Sequence, residues 1–165
     1  MVPILIVTDC SVISAFVDIG CLSKLNQLLI VKKWKLAIPD LVLDEMSGKI
    51  SRRQLRKRLK FTVQRTHAAN IKRLRARYLS LGDGELAVVS YLLRRQSGAA
   101  LAGLDDHTAR NVAQTLGVKY IGTLGLLRLM YISHIINHDE MSYYCKALSK
   151  VGFHITETLI KKILE

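Results

Sequence analysis

The sequence predicts an α/β domain built around a mainly parallel sheet. Three observations favour this class: short apolar runs rich in β-branched residues recur along the chain, helical patterns separate them, and acidic residues follow several of the runs directly. Strands of a parallel sheet are buried on both faces and have this continuous apolar character. With 165 residues, half of them apolar, the chain can bury a sizeable core, and we expect a single domain over residues 1–165.

The first predicted elements come from apolar periodicity and from residues that start or stop a helix. They are a strand at 2–9 (VPILIVTD), a helix at 11–19, a helix at 22–29 and a strand at 35–39 (KLAIP). Ser11 is the expected N-cap of the first helix, and Gly20 its end. Pro39 suits the first turn of the next helix, DLVLDEM.

The second half of the chain repeats the alternation of helix and strand. The predicted elements are a helix at 82–95, a strand at 99–104, a helix from about 106 to 117, a strand at 118–122 and three helices in the remainder. Arg110 lies four residues after Asp106 in the helix after the strand at 99–104, and it is expected to pair with an acid or a phosphate.

The positive charge of the protein is concentrated between Lys49 and Arg77. This segment contains 12 of the 25 Lys and Arg residues and no Asp or Glu, whereas the other 13 basic residues are balanced by the 13 acids, so it accounts for the net charge of +12. Leu55 and Leu59 are four residues apart, and Ile71, Leu74 and Tyr78 share a helical face. We therefore predict two amphipathic helices with wide cationic faces, a basic helical segment at 49–78.

A local concentration of charge indicates an anionic partner. Nucleic acid is favoured, because cationic helices gain affinity when they release counterions from a row of phosphates. An acidic protein partner and a solvated surface stay open as alternatives. The candidate nucleic-acid-binding residues are Arg52, Arg53, Arg56, Lys57, Arg58, Lys60, Lys72, Arg73, Arg75 and Arg77.

Several other classes are disfavoured by composition. The longest apolar runs, at 4–7 and 28–31, are far shorter than the roughly 20 residues that cross a bilayer, so no membrane partner is expected. The N-terminus has no charged region before its apolar run and no small-residue cleavage site, which argues against a signal peptide. Three cysteines without CxxC spacing favour a reducing compartment, and we expect a cytoplasmic protein.

Acidic side chains cluster near the predicted strand ends. Asp9 ends the first strand, Asp105 and Asp106 follow the strand at 99–104, and Glu45 and Glu85 lie near the starts of two helices. Because parallel strands share a carboxyl edge, these acids would converge if the strands are neighbours. Mg²⁺ or Mn²⁺ would then relieve their repulsion and support phosphodiester hydrolysis. Each acid taken singly is also explained as a helix cap or first-turn residue.

Several motifs resemble those of PIN domains. IVTDCSVISAF resembles the opening of that family, in which a strand delivers an Asp followed by a small polar residue and an apolar helix. IPDLVLDEM is similar to the second motif, with Pro39 at the start of a helix and Glu45 six residues later. Three further stretches resemble, in this order, the motifs of a prokaryotic branch akin to VapC-type toxins: GDGELAVVSYLL, AGLDDHTARNVAQTLGVKYIGTLGLL and VGFHITETLIKKIL.

The resemblance implies a three-layer α/β/α PIN-like domain with the activity of an Mg²⁺- or Mn²⁺-dependent endoribonuclease, commonly the toxin of a toxin–antitoxin pair. Asp9, Glu45, Glu85 and Asp105 would be catalytic and metal-binding, with Asp106 as a further ligand. The expected partners are an RNA substrate, a protein antitoxin and a second copy of the chain in a homodimer. Relatives usually have Asp at the position of Glu85, and segment 49–77 is more basic than is usual for them.

The role of Thr123 stays open, and so do two other hypotheses about the function. Thr123, in the Gly-Thr turn, would orient a water on the metal or a phosphate, or would only cap a helix. One alternative function is a non-catalytic PIN-fold protein that binds RNA or a partner. The other is a phosphoaspartyl enzyme with Asp9 as nucleophile, although this chemistry favours a second Asp at position 11, which is Ser.

Overall fold

The computed structural model describes residues 3–95 and 98–165, which form a five-stranded sheet with helices on both faces. The strands are β1 (Leu5–Thr8), β2 (Lys35–Pro39), β3 (Thr62–Gln64), β4 (Ala100–Gly103) and β5 (Tyr120–Ile121). Their order across the sheet is β3-β2-β1-β4-β5, and every neighbouring pair is parallel. The predicted α/β class and three-layer architecture are confirmed, whereas the extent of the domain over 1–165 stays a prediction.

The helices cover the two faces of this sheet. They are α1 (Cys10–Asp18), α2 (Leu22–Lys32), α3 (Asp40–Met46), α4 (Arg52–Arg56), α5 (Ala68–Arg77), α6 (Asp83–Arg94), α7 (His107–Thr115), α8 (Thr123–Ile132), α9 (His138–Lys150) and α10 (Glu157–Leu164). Side chains alternate across a strand, so Leu5 and Val7 pack with α5, α6 and α7, whereas Ile6 packs with α1, α2, α8 and α9.

The chain changes direction across the sheet at β1. From β1 it proceeds outward through β2 to β3, and it then returns to place β4 on the other side of β1 and β5 beyond it. The residues that follow β1, β2 and β4 therefore lie at the same carboxyl edge of the sheet. The strand order reverses between β1 and β4, so these residues lie on both sides of that point. Open parallel sheets commonly place a ligand site at this point.

The sequence located most elements, with differences at their ends. Val2, in the predicted first strand, lies outside the described residues. Helix α1 begins one residue before the predicted start, so its N-cap is Asp9 and not Ser11: the Asp9 carboxylate accepts the Val12 N–H at 3.2 Å. Pro39 ends β2 and occupies the cap position of α3 instead of its first turn. Helix α2 continues three residues beyond the predicted end.

The two helices predicted in the basic segment are present, but the sequence analysis did not predict the strand that separates them. The segment contains α4, of only five residues, and α5, with the unpredicted strand β3 between them. Three residues are too few to show strand periodicity in a sequence. Leu55 and Leu59 pack with the core on the α1 side of the sheet, whereas Ile71 and Leu74 pack against α6 on the other side.

Strand β3 therefore divides the ten candidate nucleic-acid-binding residues, which are all exposed, into two surfaces. We call them the α4 surface (Arg52, Arg53, Arg56, Lys57, Arg58 and Lys60) and the α5 surface (Lys72, Arg73, Arg75 and Arg77). Residues 57–60 directly precede β3 and so lie at the amino end of the sheet, whereas α5 follows its carboxyl end.

Within residues 3–95 and 98–165, no single helix is long and apolar enough to cross a membrane. Helices α1 and α2 together have the length and apolar composition of a membrane span, but they meet at a bend of 119°. Their large apolar residues Phe16, Leu25 and Leu28 are buried in the core.

Candidate functional site

Asp9 lies at the end of the buried central strand, and its side chain is almost inaccessible, with 2% of the residue exposed. The Ser11 hydroxyl donates to both carboxylate oxygens, at 2.9 and 2.8 Å. Burial raises the pKa of Asp9 to about 7 against the opposing effect of the hydrogen bonds from Ser11 and Val12, and the nearby carboxylates of Asp105 and Glu85 raise it further. A cation near Asp9 would reverse this shift.

The raised pKa of Asp9 predicts a loss of stability with rising pH in metal-free protein. The folded-state pKa of about 7 lies above the ordinary value of 3.8, so the folded state holds a proton that the unfolded chain has lost. Asp9 therefore lowers the free energy of unfolding as pH rises from about 4 to about 7, by on the order of a few kcal/mol, with no further loss above this range. Urea unfolding in EDTA at pH 5 and pH 8 should show a smaller loss for Asp9→Asn than for wild type; equal losses would contradict the assignment.

Glu45 and Glu85 approach each other where α3 contacts α6. Glu45 Oε1 accepts the Gly84 N–H at 3.0 Å, and an added Cβ at Gly84 would lie only 2.8 Å from Glu45 Oε2. Glu85 Oε2 accepts the Gly82 N–H at 2.9 Å. Burial raises the pKa of Glu85, and the charges of Asp106 and Glu45 add to this. The absence of a side chain at Gly84 thus allows the Glu45 carboxylate to contact the start of α6, next to Glu85 in the chain.

Asp105 is held by the start of α8. Its Oδ1 accepts the Thr123 N–H at 2.8 Å, and its Oδ2 accepts the Thr123 hydroxyl at 2.5 Å. The Arg110 guanidinium lies 3.3 Å from Oδ1 and donates through Nε to the Leu104 carbonyl at 2.8 Å. Arg110 therefore pairs with an acid, as one of the two predicted alternatives requires, and the buried Thr123 hydroxyl is directed at Asp105.

Gly122 makes the Asp105 arrangement sensitive to a single methyl group. A Cβ at this position would overlap the Arg110 guanidinium and lie 2.7 Å from Asp105 Oδ1, while the backbone φ of −102° is ordinary. We expect Gly122→Ala to lower the free energy of unfolding by about 1–3 kcal/mol through overpacking. Chemical denaturation beside Gly48→Ala, where a Cβ meets nothing within 4 Å, provides the matched control. Equal stability of the two variants would show that Asp105 is not held in this way.

All five acids accept an N–H at or beside the start of a helix. Asp9, Asp106 and Asp105 do so at α1, α7 and α8, and Glu45 and Glu85 both do so at α6. The cap or first-turn alternative is thus realised by Asp9, Asp106 and Glu85 in their own helices, and it coexists with convergence. Glu45, in contrast, lies near the end of α3 and not near its start as predicted, because α3 ends at Met46. The positive ends of these helices partly offset the repulsion between the carboxylates. Helix geometry therefore helps to stabilise several carboxylates that lie near one another.

The five acids form one electrostatically connected group. Asp105 and Glu85 raise the pKa of Asp9, while Asp106 and Glu45 raise that of Glu85, so each acid affects or is affected by another. The structure therefore places every acid that the sequence singled out within electrostatic range of another, and their catalytic and metal-binding roles stay predictions. Sequence reasoning missed Gly84 and Gly122, although the GDGE and GTLG patterns place both beside predicted site residues.

The donor chemistry of this group fits a hard divalent cation. Carboxylate oxygens are the preferred ligands of Mg²⁺ and Mn²⁺, and repulsion among five acids favours a bound positive charge. Among residues 3–95 and 98–165, however, no three His, Cys, Asp or Glu side chains are already arranged as a metal-binding group. The hydrogen bonds described above use one oxygen each of Glu45, Glu85 and Asp106, so the second oxygen of each remains for an ion. Binding would require these side chains to turn toward it.

The α5 surface lies beside the acidic group. Arg75 forms an ion pair with Asp83, the first residue of α6, two residues before Glu85. Lys57 and Lys60, in contrast, lie at the opposite end of the sheet. The structure therefore separates the candidate nucleic-acid-binding residues into a set near the acids and a set remote from them.

Comparison with known families assigns the fold. The chain matches the family model DUF3368, described as a PIN domain, over residues 5–165. No curated protein matches the chain. The family match includes all five strands and all five candidate acids, and it agrees with the parallel sheet and with the resemblance of the sequence motifs. The chain therefore belongs to the DUF3368 family of PIN domains, a class whose members are generally nucleases that use divalent metals.

Proposed function

We propose that this protein is an Mg²⁺- or Mn²⁺-dependent endoribonuclease. The observation that carries the proposal is the connected group of five carboxylates at the carboxyl edge of the sheet, with the cationic α5 surface beside it. Acids that hold a cation and a surface that holds phosphates are the two parts that phosphodiester hydrolysis needs. RNA is the proposed substrate because the sequence motifs resemble those of PIN ribonucleases.

The residues of the site divide into three roles. Asp9, Glu45, Glu85, Asp105 and Asp106 would hold the ion. When bound, the ion would lower the pKa of a water and neutralise charge on the phosphate that is attacked. Thr123 and Arg110 fix the orientation of Asp105, and the α5 surface would hold the phosphates of the RNA strand. The burial of Asp9 keeps bulk water away from its carboxylate, which strengthens its attraction to a cation.

Cleavage of end-labelled structured RNA by purified protein tests the proposal. We expect cleavage in Mn²⁺ or Mg²⁺, none in EDTA, and weaker or no cleavage of DNA of the same sequence. Recovery of cleavage when excess metal is returned after EDTA would show that the protein remained intact. RNA binding without cleavage in either metal would contradict the enzyme and favour the non-catalytic alternative.

We further propose that the enzyme is a cytoplasmic, VapC-like toxin that forms a homodimer and is neutralised by an antitoxin. The order of its motifs supports this, and Cys10, Cys21 and Cys145 are free, as a reducing compartment permits. Induced expression in a bacterial host should arrest growth, whereas Asp9→Asn should not. Light scattering of the purified chain should give the mass of a dimer. Normal growth with active wild-type enzyme present would remove the toxin assignment alone.

A further inference from the structure

A groove lies at the opposite end of the sheet from the acidic group. It occupies the corner between the carboxyl-terminal half of α2 and the amino ends of β2 and β3, and its volume is about 420 Å³. The acids follow the carboxyl ends of the strands, so β2, with five residues, separates the two sites by about 16 Å. The groove is therefore distinct from the proposed nuclease site.

The interior of the groove is apolar. Leu29, Ile30 and Leu36 contribute aliphatic side chains, and Trp34 and Phe61 contribute aromatic rings. Ile30 is 64% exposed, an unusual position for a large aliphatic residue in a chain that buries most of its others. Such a surface would gain free energy if an apolar side chain covered it.

The edge of the groove is cationic. Lys33, Lys35 and Lys60 line it, and an adjoining cavity of about 340 Å³ is lined by Arg56, Lys57 and Arg58 of the α4 surface. In the part of the chain that the structure describes, none of these six side chains forms an ion pair with an acid. An occupant with negative charge around an apolar centre would complement both the edge and the interior.

The occupant that fits best is a protein segment. The most exposed apolar side chain of the groove is Ile30, which offers no surface for base stacking. The Phe61 ring is buried and already has the Arg56 guanidinium over it, 4.6 Å from its centre, so a base could stack on Trp34 alone. A second copy of this chain carries the same net charge of +12 and the same cationic edge, so two such surfaces would repel each other.

We propose that this groove binds an acidic segment of a partner protein that inserts an aliphatic side chain between α2 and β3. Carboxylates of the segment would pair with Lys33, Lys35 and Lys60, while its aliphatic residue would cover Ile30 and the partly exposed Trp34. Because the groove is remote from the acids, binding does not depend on RNA cleavage, and it would occupy much of the α4 surface while leaving the α5 surface accessible.

Trp34, the single tryptophan of the protein, allows binding to be measured directly. We would titrate the full chain with a short synthetic peptide of aspartate and glutamate with a pair of central leucines, and follow Trp34 fluorescence. We expect a saturable change, which should be lost when serines replace the leucines. Ile30→Asp and Lys33→Glu are expected to weaken binding by about tenfold or more.

The controls use residues of similar exposure elsewhere on the surface. Val31→Asp changes an exposed aliphatic residue of the same helix that does not line the groove, and Lys150→Glu changes an exposed lysine of α9; both should bind the peptide as wild type does. Circular dichroism would confirm that Ile30→Asp remains folded. The proposal is overturned if the peptide causes no saturable change, if the serine peptide binds equally well, or if oligoadenylate displaces the peptide and produces the larger change in Trp34 fluorescence.

Discussion

Replacement of Asp9 by asparagine is expected to lower the rate of metal-dependent RNA cleavage by about 10³-fold or more. Asp9 is the most buried of the five acids, with the carboxylates of Asp105 and Glu85 nearby. Removal of its charge weakens the attraction for a divalent ion at a buried position, where water screens little. A loss of about 4 kcal/mol in the transition state corresponds to this factor. Single-turnover cleavage of end-labelled RNA in saturating Mn²⁺ measures the effect.

The fold should survive this substitution. Asparagine keeps an oxygen that can accept the Val12 N–H and the Ser11 hydroxyl, so α1 retains its cap. In EDTA at pH 8 the variant should be at least as stable as wild type, because it no longer buries a carboxylate charge. Lost activity with retained stability would separate a chemical role from a structural one.

The matched control for Asp9→Asn is Asp139→Asn, which removes an acid from the exposed start of α9. This variant should cleave RNA at the wild-type rate. Cleavage by Asp9→Asn within about tenfold of wild type would contradict the proposed site, because no other acid of the group is buried to the same degree.

Neutralisation of Lys72, Arg73 and Arg77 by glutamine is expected to weaken RNA binding by about 10- to 100-fold. These side chains are exposed on α5 beside the acids, and Arg75 is left in place because its ion pair with Asp83 joins α5 to α6. Each lost phosphate contact should lower the slope of log affinity against log salt by about 0.7 for a single strand, hence by about 2 for the three. Filter binding at several salt concentrations gives both quantities.

The comparison set lies on the α4 surface. Lys57→Gln, Arg58→Gln and Lys60→Gln together remove the same charge from the amino end of the sheet, remote from the acids. We expect a smaller loss of affinity and a nearly unchanged cleavage rate at saturating RNA. An equal loss for the two triple variants would mean that RNA follows the whole basic segment, as the undivided helical interpretation of the sequence implies.

The sequence was informative where residues follow long, regular elements. The apolar strands ending at Thr8 and Gly103, with acids just beyond them, predicted both the parallel sheet and the edge at which the acids meet. Helix capping by Asp106 was also an expected alternative. These predictions succeed because buried parallel strands and helix starts impose strong local residue preferences.

The sequence was less informative where tertiary pairing decides the structure. Strand β3 has only three residues and is specified by its pairing with β2, for example Val63 with Ile38. The local sequence does not show this pairing, and the charged residues around β3 suggested only helices. The α1 cap lies at Asp9, two positions before the predicted Ser11, which is the usual uncertainty of a helix boundary. The orientation of Asp105 toward Thr123 joins positions 18 residues apart, and no local pattern specifies that contact.

Direct binding of Mn²⁺ tests the central claim that the five acids form a metal site. We would titrate metal-free protein at neutral pH and follow free Mn²⁺ by electron paramagnetic resonance, for wild type, Glu45→Gln and Glu85→Gln. We expect saturable binding by wild type that is weaker by about tenfold or more in each variant, with the cleavage rate rising over the same Mn²⁺ range. Binding that neither substitution weakens, or RNA cleavage by the purified protein that persists in EDTA, would contradict this account.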